Sequence, residues 1–237
     1  MGALRSEFDP AAQGTPESIW RGVLACCPAW APSPGTLIIV SPHPDDETLA
    51  AGGLIHNWIR LGHQTIVISV TDGEAGYSNW PRLQEVRRKE LRAALCILGN
   101  GLVHIIRLAI PDGQAVRHMA RIERAIRAAV DGPSTLICPY ENDGHPDHEA
   151  AGRACQSVAR SLGLPVARYP IWMWHQAPPS TLADLRCGRF WLDRDAEIAK
   201  AQALQCFASQ TRPPAAAPII PPHVLEYFSR PYELFLI

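Results

Sequence analysis

Two short segments concentrate side chains that can hold a metal ion and move protons. Ser41-Pro42-His43-Pro44-Asp45-Asp46-Glu47 sets a histidine between two prolines and follows it with three acids. Gly144-His145-Pro146-Asp147-His148 packs two histidines and an aspartate into four positions. Imidazole nitrogen and carboxylate oxygen are both zinc donors. The prolines keep the backbone around His43 extended, which suits a ligand whose position must be fixed. His43 and Asp46 lie three residues apart on a strand-to-helix turn, so both can reach one ion. Asp45 stays close without joining them, and a carboxylate so placed can take a proton from attacking water. The competing reading of this segment is a helix N-terminus, where Asp45, Asp46 and Glu47 would favour the positive end of the helix dipole. That reading explains the acids but not a histidine between two prolines. For the second segment the competing reading is a helix cap and a turn.

The flanking sequence supplies the elements that would position these groups. The β-branched runs at 36–40, 64–70, 103–108 and 135–139 read as strands buried on both faces. Helical periodicity over 47–61, 82–98, 116–130 and 148–162 separates and follows them. Such alternation predicts an α/β fold: a Rossmann-like open parallel sheet of order 3-2-1-4-5 with helices on both faces. Strands one and four are then neighbours at the switch point, and the His43 and His148 loops face each other across it. Past residue 163 the pattern loosens into a short irregular C-terminal extension. It holds a strand at 166–174, a short strand at 190–192, a helix at 195–207, a Pro/Ala-rich surface loop at 211–222 and an edge strand at 233–237. Residues 1–34 read as an arm and a short helix capped by Thr15, and residues 35–237 as one α/β domain.

Composition narrows the function classes. The 237 residues carry a net charge of -1, with 22 basic against 23 acidic side chains. A nucleic-acid binder would show a basic excess, and a membrane-surface protein a polybasic patch. No apolar run approaches the ~20 residues of a membrane span, and Met1–Gly14 lacks the apolar core of a secretory signal. A cytoplasmic location is expected. The seven cysteines are odd in number and form no C-x-x-C pair, so reduced thiols are expected, with Cys96, Cys138, Cys155 and Cys206 in apolar stretches.

The two histidine motifs resemble those of the PIG-L/LmbE-like deacetylases, which carry a P-H-P-D-D-E-like segment after the first strand and an H-P-D-H segment later. Thr71-Asp72-Gly73-Glu74, Arg87-x-x-Glu90 with Leu98-Gly99, and Lys200 through Ser209-Gln210 extend the resemblance over about residues 36 to 210. It implies that His43, Asp46 and His148 bind Zn2+, or another divalent metal such as Fe2+. It implies Asp45 as general base, and His145 as the group that stabilises the oxyanion and protonates the leaving amine, with Asp147 tuning it. The implied reaction is hydrolysis of an N-acyl, chiefly N-acetyl, amide on an amino-sugar-containing small molecule or glycoconjugate.

Three further residues are candidate substrate contacts. Asp72 and Glu74 end the second strand, where acids in related folds bind sugar hydroxyls; Asp-Gly turn chemistry explains them equally well. Arg87 is either a substrate contact, which the resemblance favours, or a solvated arginine beside Arg88 and Lys89. Specificity is expected in loops, here 73–81, 111–117, 175–188 and 211–222. Trp174 is a minor candidate for stacking on a sugar. A nucleotide-binding oxidoreductase would need G-x-G-x-x-G where Ser41-Pro42-His43-Pro44 stands. Cleavage of a non-sugar amide, or metal and sugar binding without catalysis, stays open, as does a homo-oligomer.

Overall fold

Seven strands form a single sheet in the order β3-β2-β1-β4-β5-β7-β6, seen in a computed structural model that describes residues 12–237. Most of the arm expected at the N-terminus lies outside the described residues. In chain order the elements are α1 (Glu17–Leu24), β1 (Thr36–Ser41), α2 (Asp46–Arg60), β2 (Thr65–Thr71), α3 (Leu83–Gly99), β3 (His104–Ile110) and α4 (Met119–Ala129). There follow β4 (Ser134–Pro139), α5 (Pro146–Leu162), β5 (Val166–Tyr169), α6 (Met173–Gln176), β6 (Cys187–Trp191), α7 (Arg194–Leu204), α8 (Ala208–Thr211), α9 (Pro222–Leu225) and β7 (Tyr232–Leu236). The parallel order 3-2-1-4-5 is as expected, with β1 flanked by β2 and β4.

Every residue of β1 is buried, and alternate side chains feed opposite layers. Leu37 and Ile39 pack with Leu49 and Leu54 of α2, Leu91 and Leu95 of α3, and Ala199 and Ala203 of α7. Ile38 and Val40 pack with Ile122 and Ile126 of α4 and Ala150, Ala154 and Val158 of α5. At ~1.5–3 kcal/mol for each large aliphatic side chain removed from water, these two layers supply a core that does not depend on a metal.

The C-terminal region departs from expectation in physically traceable ways. The strand expected over 166–174 stops at Tyr169, because Pro170 follows and the Asp143 carboxylate takes the N–H groups of Ile171, Trp172 and Met173. The last strand is not an edge. β7 runs antiparallel between β5 and β6, and β6 forms the border. β7 also carries Glu233 into a kink of α2. Ala51 is non-helical there (φ -139°), and the N–H groups of Gly53 and Leu54 donate to the Glu233 carboxylate at 2.7 and 2.8 Å. The Lys200 ammonium neutralises that buried carboxylate at 2.8 Å. The third helical segment opens as a 3-10 turn over Ala115–His118.

The cysteine expectation needs correction. Cys27 and Cys187 form a disulfide, with Cα atoms 5.7 Å apart and a sequence separation of 160. The Trp30 N–H donates to the Arg189 carbonyl and the Arg189 N–H to the Pro28 carbonyl, which brings the segment after α1 onto the border strand. Cys138 and Cys155 are buried free thiols, whereas Cys96 is exposed on α3 and Cys206 half-buried. Thr15 does not cap α1; its hydroxyl donates to the carbonyl of Ala177. No helix among the described residues is long and apolar enough to cross a membrane.

Candidate active site

The C-terminal ends of β1 and β4 sit side by side, and the two histidine motifs meet above them. β1 delivers His43, the turn into α2 delivers Asp45 and Asp46, and the first turn of α5 delivers His148. Three donor atoms converge. His43 Nδ1 lies 3.2 Å from His148 Nε2, His148 Nε2 lies 3.2 Å from Asp46 Oδ2, and His43 Nδ1 lies 3.4 Å from Asp46 Oδ2. Ligands at ~2.0–2.1 Å from a tetrahedral zinc are separated by ~3.3–3.4 Å. The triangle therefore has the edge lengths of one face of a zinc tetrahedron, so the donor set fits the metal. His145 and Asp112 stand close enough to form other triads with His43.

What lies behind these atoms separates the first triad from the others. The far nitrogen of each imidazole meets a carboxylate, the arrangement that fixes a metal-binding histidine in its tautomer and orientation. His148 Nδ1 is 2.8 Å from Asp143 Oδ2. His43 Nε2 is 3.0 Å from Asp112 Oδ1 and 3.3 Å from Asp147 Oδ2. Asp143 and Asp112 were not singled out in the sequence. Each stands in an Asp-Gly turn after a strand, and only contacts across 5 and 69 residues respectively reveal their partners.

Asp45 occupies the pocket floor at φ 139°, a conformation that L-residues adopt only where the surroundings impose it. Arg87 is the restraint. Its guanidinium donates to Asp45 Oδ2 at 3.1 Å, to the Pro44 carbonyl at 3.0 Å and to the Gly73 carbonyl at 3.0 Å. It is 4% exposed, so it is not a solvated arginine. Glu47 accepts from the Ser41 and Thr48 hydroxyls and from the Asp45 N–H, which locks the turn from beneath.

In the metal-free protein, burial and neighbouring charge set the protonation states. Burial pushes Asp45 up to about 8 against the pull of Arg87, with Asp46 and Glu47 adding to the rise. Burial also works against a charged Asp46, but His148 and His43 outweigh it and hold its carboxyl far below the usual range. Burial disfavours charge on His148, yet Asp46 and Asp143 raise it to about 9. Asp112, Asp147 and Asp46 likewise overcome burial and raise His43 well above the ordinary value.

The Asp147 carboxylate acts on His145 as a nearby charge that raises its pKa, while its hydrogen bonds go elsewhere. The Asp147 carboxylate turns to His43 and to the N–H groups of Gly113 and Ala115, at 2.7 and 2.9 Å. His145 Nδ1 instead accepts the backbone N–H of Asp147 at 3.2 Å. Burial, then the neighbouring His43 and His148, push its pKa down to about 3. An imidazole whose Nδ1 accepts carries its proton on Nε2, so His145 is a neutral donor and not an imidazolium.

A cavity of about 360 Å³ opens over this cluster, lined by His43, Asp45, Asp46, Arg87, Asp112 and His145 together with apolar groups. It lies within the ~300–1,000 Å³ of small-molecule sites. Asp72 and Glu74 do not line it. Asp72 is held by the Arg107 guanidinium, and Glu74 accepts the Asp112 N–H at 2.9 Å. Trp174 is core, packed on Trp20 and under Arg230. The neighbouring Trp172 lines the cavity instead.

The sequence profile described as GlcNAc-PI de-N-acetylase matches residues 38–159, a span that holds both motifs. The chain belongs to the PIG-L family. A probable N-acetyl-alpha-D-glucosaminyl L-malate deacetylase of Bacillus cereus is 32% identical over 149 residues, covering 57% of this chain and 64% of that protein. A 1D-myo-inositol 2-acetamido-2-deoxy-alpha-D-glucopyranoside deacetylase of Tsukamurella paurometabola is 27% identical over 176 residues, covering 57% and 59%. The chain thus spans about 60% of the length of these curated relatives. The zinc-inhibited form of a teicoplanin deacetylase shares the fold at a TM-score of 0.60 and 18% identity, covering 74% of this chain and 84% of that one. The diacetylchitobiose deacetylase of Pyrococcus horikoshii does so at a TM-score of 0.57 and 20% identity, covering 74% and 70%.

Proposed function

We propose that this PIG-L family chain is a zinc-dependent hydrolase of an N-acyl, chiefly N-acetyl, amide on an amino-sugar-containing small molecule or glycoconjugate. The single observation that carries this reading is the near-equilateral donor triangle of His43, Asp46 and His148 with Asp45 beside it in one cavity. The named activities of the relatives, all deacetylations of acetamido sugars, support the substrate class. His43, Asp46 and His148 would hold the zinc, which would supply Lewis acidity toward the amide carbonyl and the attacking water. In its ionised form, which a divalent cation held beside it would favour against the rise caused by burial, Asp45, aimed by Arg87, takes the proton of that water and passes it to the nitrogen as the C–N bond breaks. The N–H of His145 Nε2 steadies the negative charge that develops on the carbonyl oxygen. Asp112 and Asp147 hold His43, and Asp143 holds His148. Arg87 lines the cavity beside Asp45, so it positions the base and offers a donor to a sugar hydroxyl. The products are acetate and a free amine.

The test is acetate release by zinc-loaded protein from a panel of N-acetylglucosaminides, with N-acetylated amino acids as the non-sugar comparison. Release from the sugars with Asp45→Asn inactive is the expected result. Release from the amino acids alone overturns the substrate class.

A further inference from the structure

The cavity pairs a cluster of charged and imidazole side chains with a largely hydrocarbon wall. All its charged and imidazole side chains belong to the proposed catalytic cluster and the groups that hold it. The rest of the wall is Leu49, Pro146, Ile171, Trp172, Ile219 and Ile220, with the small residues Ala75, Gly76 and Gly113. Leu49 stands one turn beyond Asp46 on α2. Ile171 and Trp172 are fixed beside His148, because their N–H groups donate to the same Asp143 carboxylate that holds it.

The last two isoleucines end the Pro/Ala-rich loop, and that loop is tied down. Tyr77 Oη accepts the Ile219 N–H and donates to the Ala217 carbonyl, both at 3.2 Å. The Ile220 N–H donates to the Gln210 carbonyl at 3.0 Å. Ser209, one residue earlier, is clamped to Glu90 by its N–H at 2.8 Å and its hydroxyl at 2.6 Å. Glu90 lies on α3 with Arg87, so the roof is registered against the helix that aims the proposed base. A wall restrained in this way needs little ordering when a ligand arrives.

We infer that this wall is a subsite for an apolar substituent on the amino sugar, carried either as an acyl tail longer than acetyl or as an apolar group on the anomeric oxygen. A second sugar or another polyol there would meet hydrocarbon and leave hydroxyls without partners, a desolvation penalty. A chain of methylenes would gain about fourfold in binding for each one fully buried. The inference rests on the hydrolase reading above, and a binding measurement separates the two.

The test compares zinc-loaded protein on methyl N-acetylglucosaminide, its hexyl glycoside, the methyl glycoside bearing N-hexanoyl in place of N-acetyl, and diacetylchitobiose. The expected result is a kcat/KM at least ~10-fold above the methyl N-acetyl compound for one hexyl-bearing substrate, and none for diacetylchitobiose. The hexyl substrate that gains identifies the source of the apolar group. Ile219→Asn should erase most of that gain, and Ile219→Phe, which fills the subsite, should reverse it toward shorter groups. Titration calorimetry with the same compounds reads binding whether or not turnover occurs. Tighter binding of a hexyl compound, weakened by Ile219→Asn, supports the subsite even if no acetate appears. Equal affinities and equal kcat/KM across the panel, or a preference for diacetylchitobiose, overturns it.

Discussion

Replacing Asp143 by Asn should damage zinc binding although Asp143 is not itself one of the proposed zinc donors. Its Oδ1 accepts the N–H groups of Ile171 and Met173 at 2.8 and 3.1 Å. Its Oδ2 accepts the Trp172 N–H at 3.0 Å and faces His148 Nδ1 at 2.8 Å. An asparagine can keep the first pair on its carbonyl oxygen, but its NH2 group then faces two donors. Leaving two buried donors unmatched costs ~1–3 kcal/mol each, or about 2–6 kcal/mol in all. The imidazole has one escape: moving its proton to Nε2 turns Nδ1 into an acceptor for the new NH2. That tautomer has lost the lone pair that His148 presents to Asp46 and His43. Either way zinc affinity should fall by ~10- to 100-fold, the usual effect of losing such an outer carboxylate. Competition with a chromophoric chelator measures the affinity, and urea denaturation of metal-free protein measures the stability. Zinc affinity within twofold of the parent would refute the assignment of Asp143 as the group that orients His148.

Three other perturbations follow from named contacts. Asp45→Asn should retain zinc and the fold while turnover of an N-acetylglucosaminide drops ~10²- to 10⁴-fold; a near-normal kcat removes Asp45 as the base. Glu233→Gln leaves Lys200 buried without its counter-charge, so a loss of ~3–5 kcal/mol is expected in urea denaturation, and an unchanged midpoint contradicts the pairing. Cys27→Ser should lower stability by ~2–4 kcal/mol, and a reductant should depress the Tm of the parent but not of the variant; equal response of both speaks against the Cys27–Cys187 bond.

Much of this architecture is readable along the chain, and the exceptions share one cause. The buried runs that became β1, β2, β3 and β4 announce themselves by composition, and parallel crossover rules then fix their order. His43, Asp45 and Asp46 are legible because one strand-to-helix turn presents all three. The interior placement of β7 is not legible, since an antiparallel insertion between β5 and β6 breaks no local rule. Nor is the direction of Asp147, whose neighbour in sequence is His145 but whose carboxylate reaches His43 from 104 residues away. Asp72 shows the converse failure: an acid at the right strand end is drawn off by Arg107 on the adjoining edge strand. Three of the four loops expected to set specificity, 73–81, 111–117 and 211–222, do contribute to the cavity. The fourth, 175–188, does not, because the chain has already turned away after Trp172.

The central claim is that His43, Asp46 and His148 together hold one zinc ion. Elemental analysis of purified protein and of His43→Ala, Asp46→Ala and His148→Ala, each checked for folding by circular dichroism, tests it most directly. The account predicts about one zinc per chain in the parent and less than about a tenth of that in each folded variant, because each removes one of three protein donors. Full zinc stoichiometry in any one of the three would contradict it.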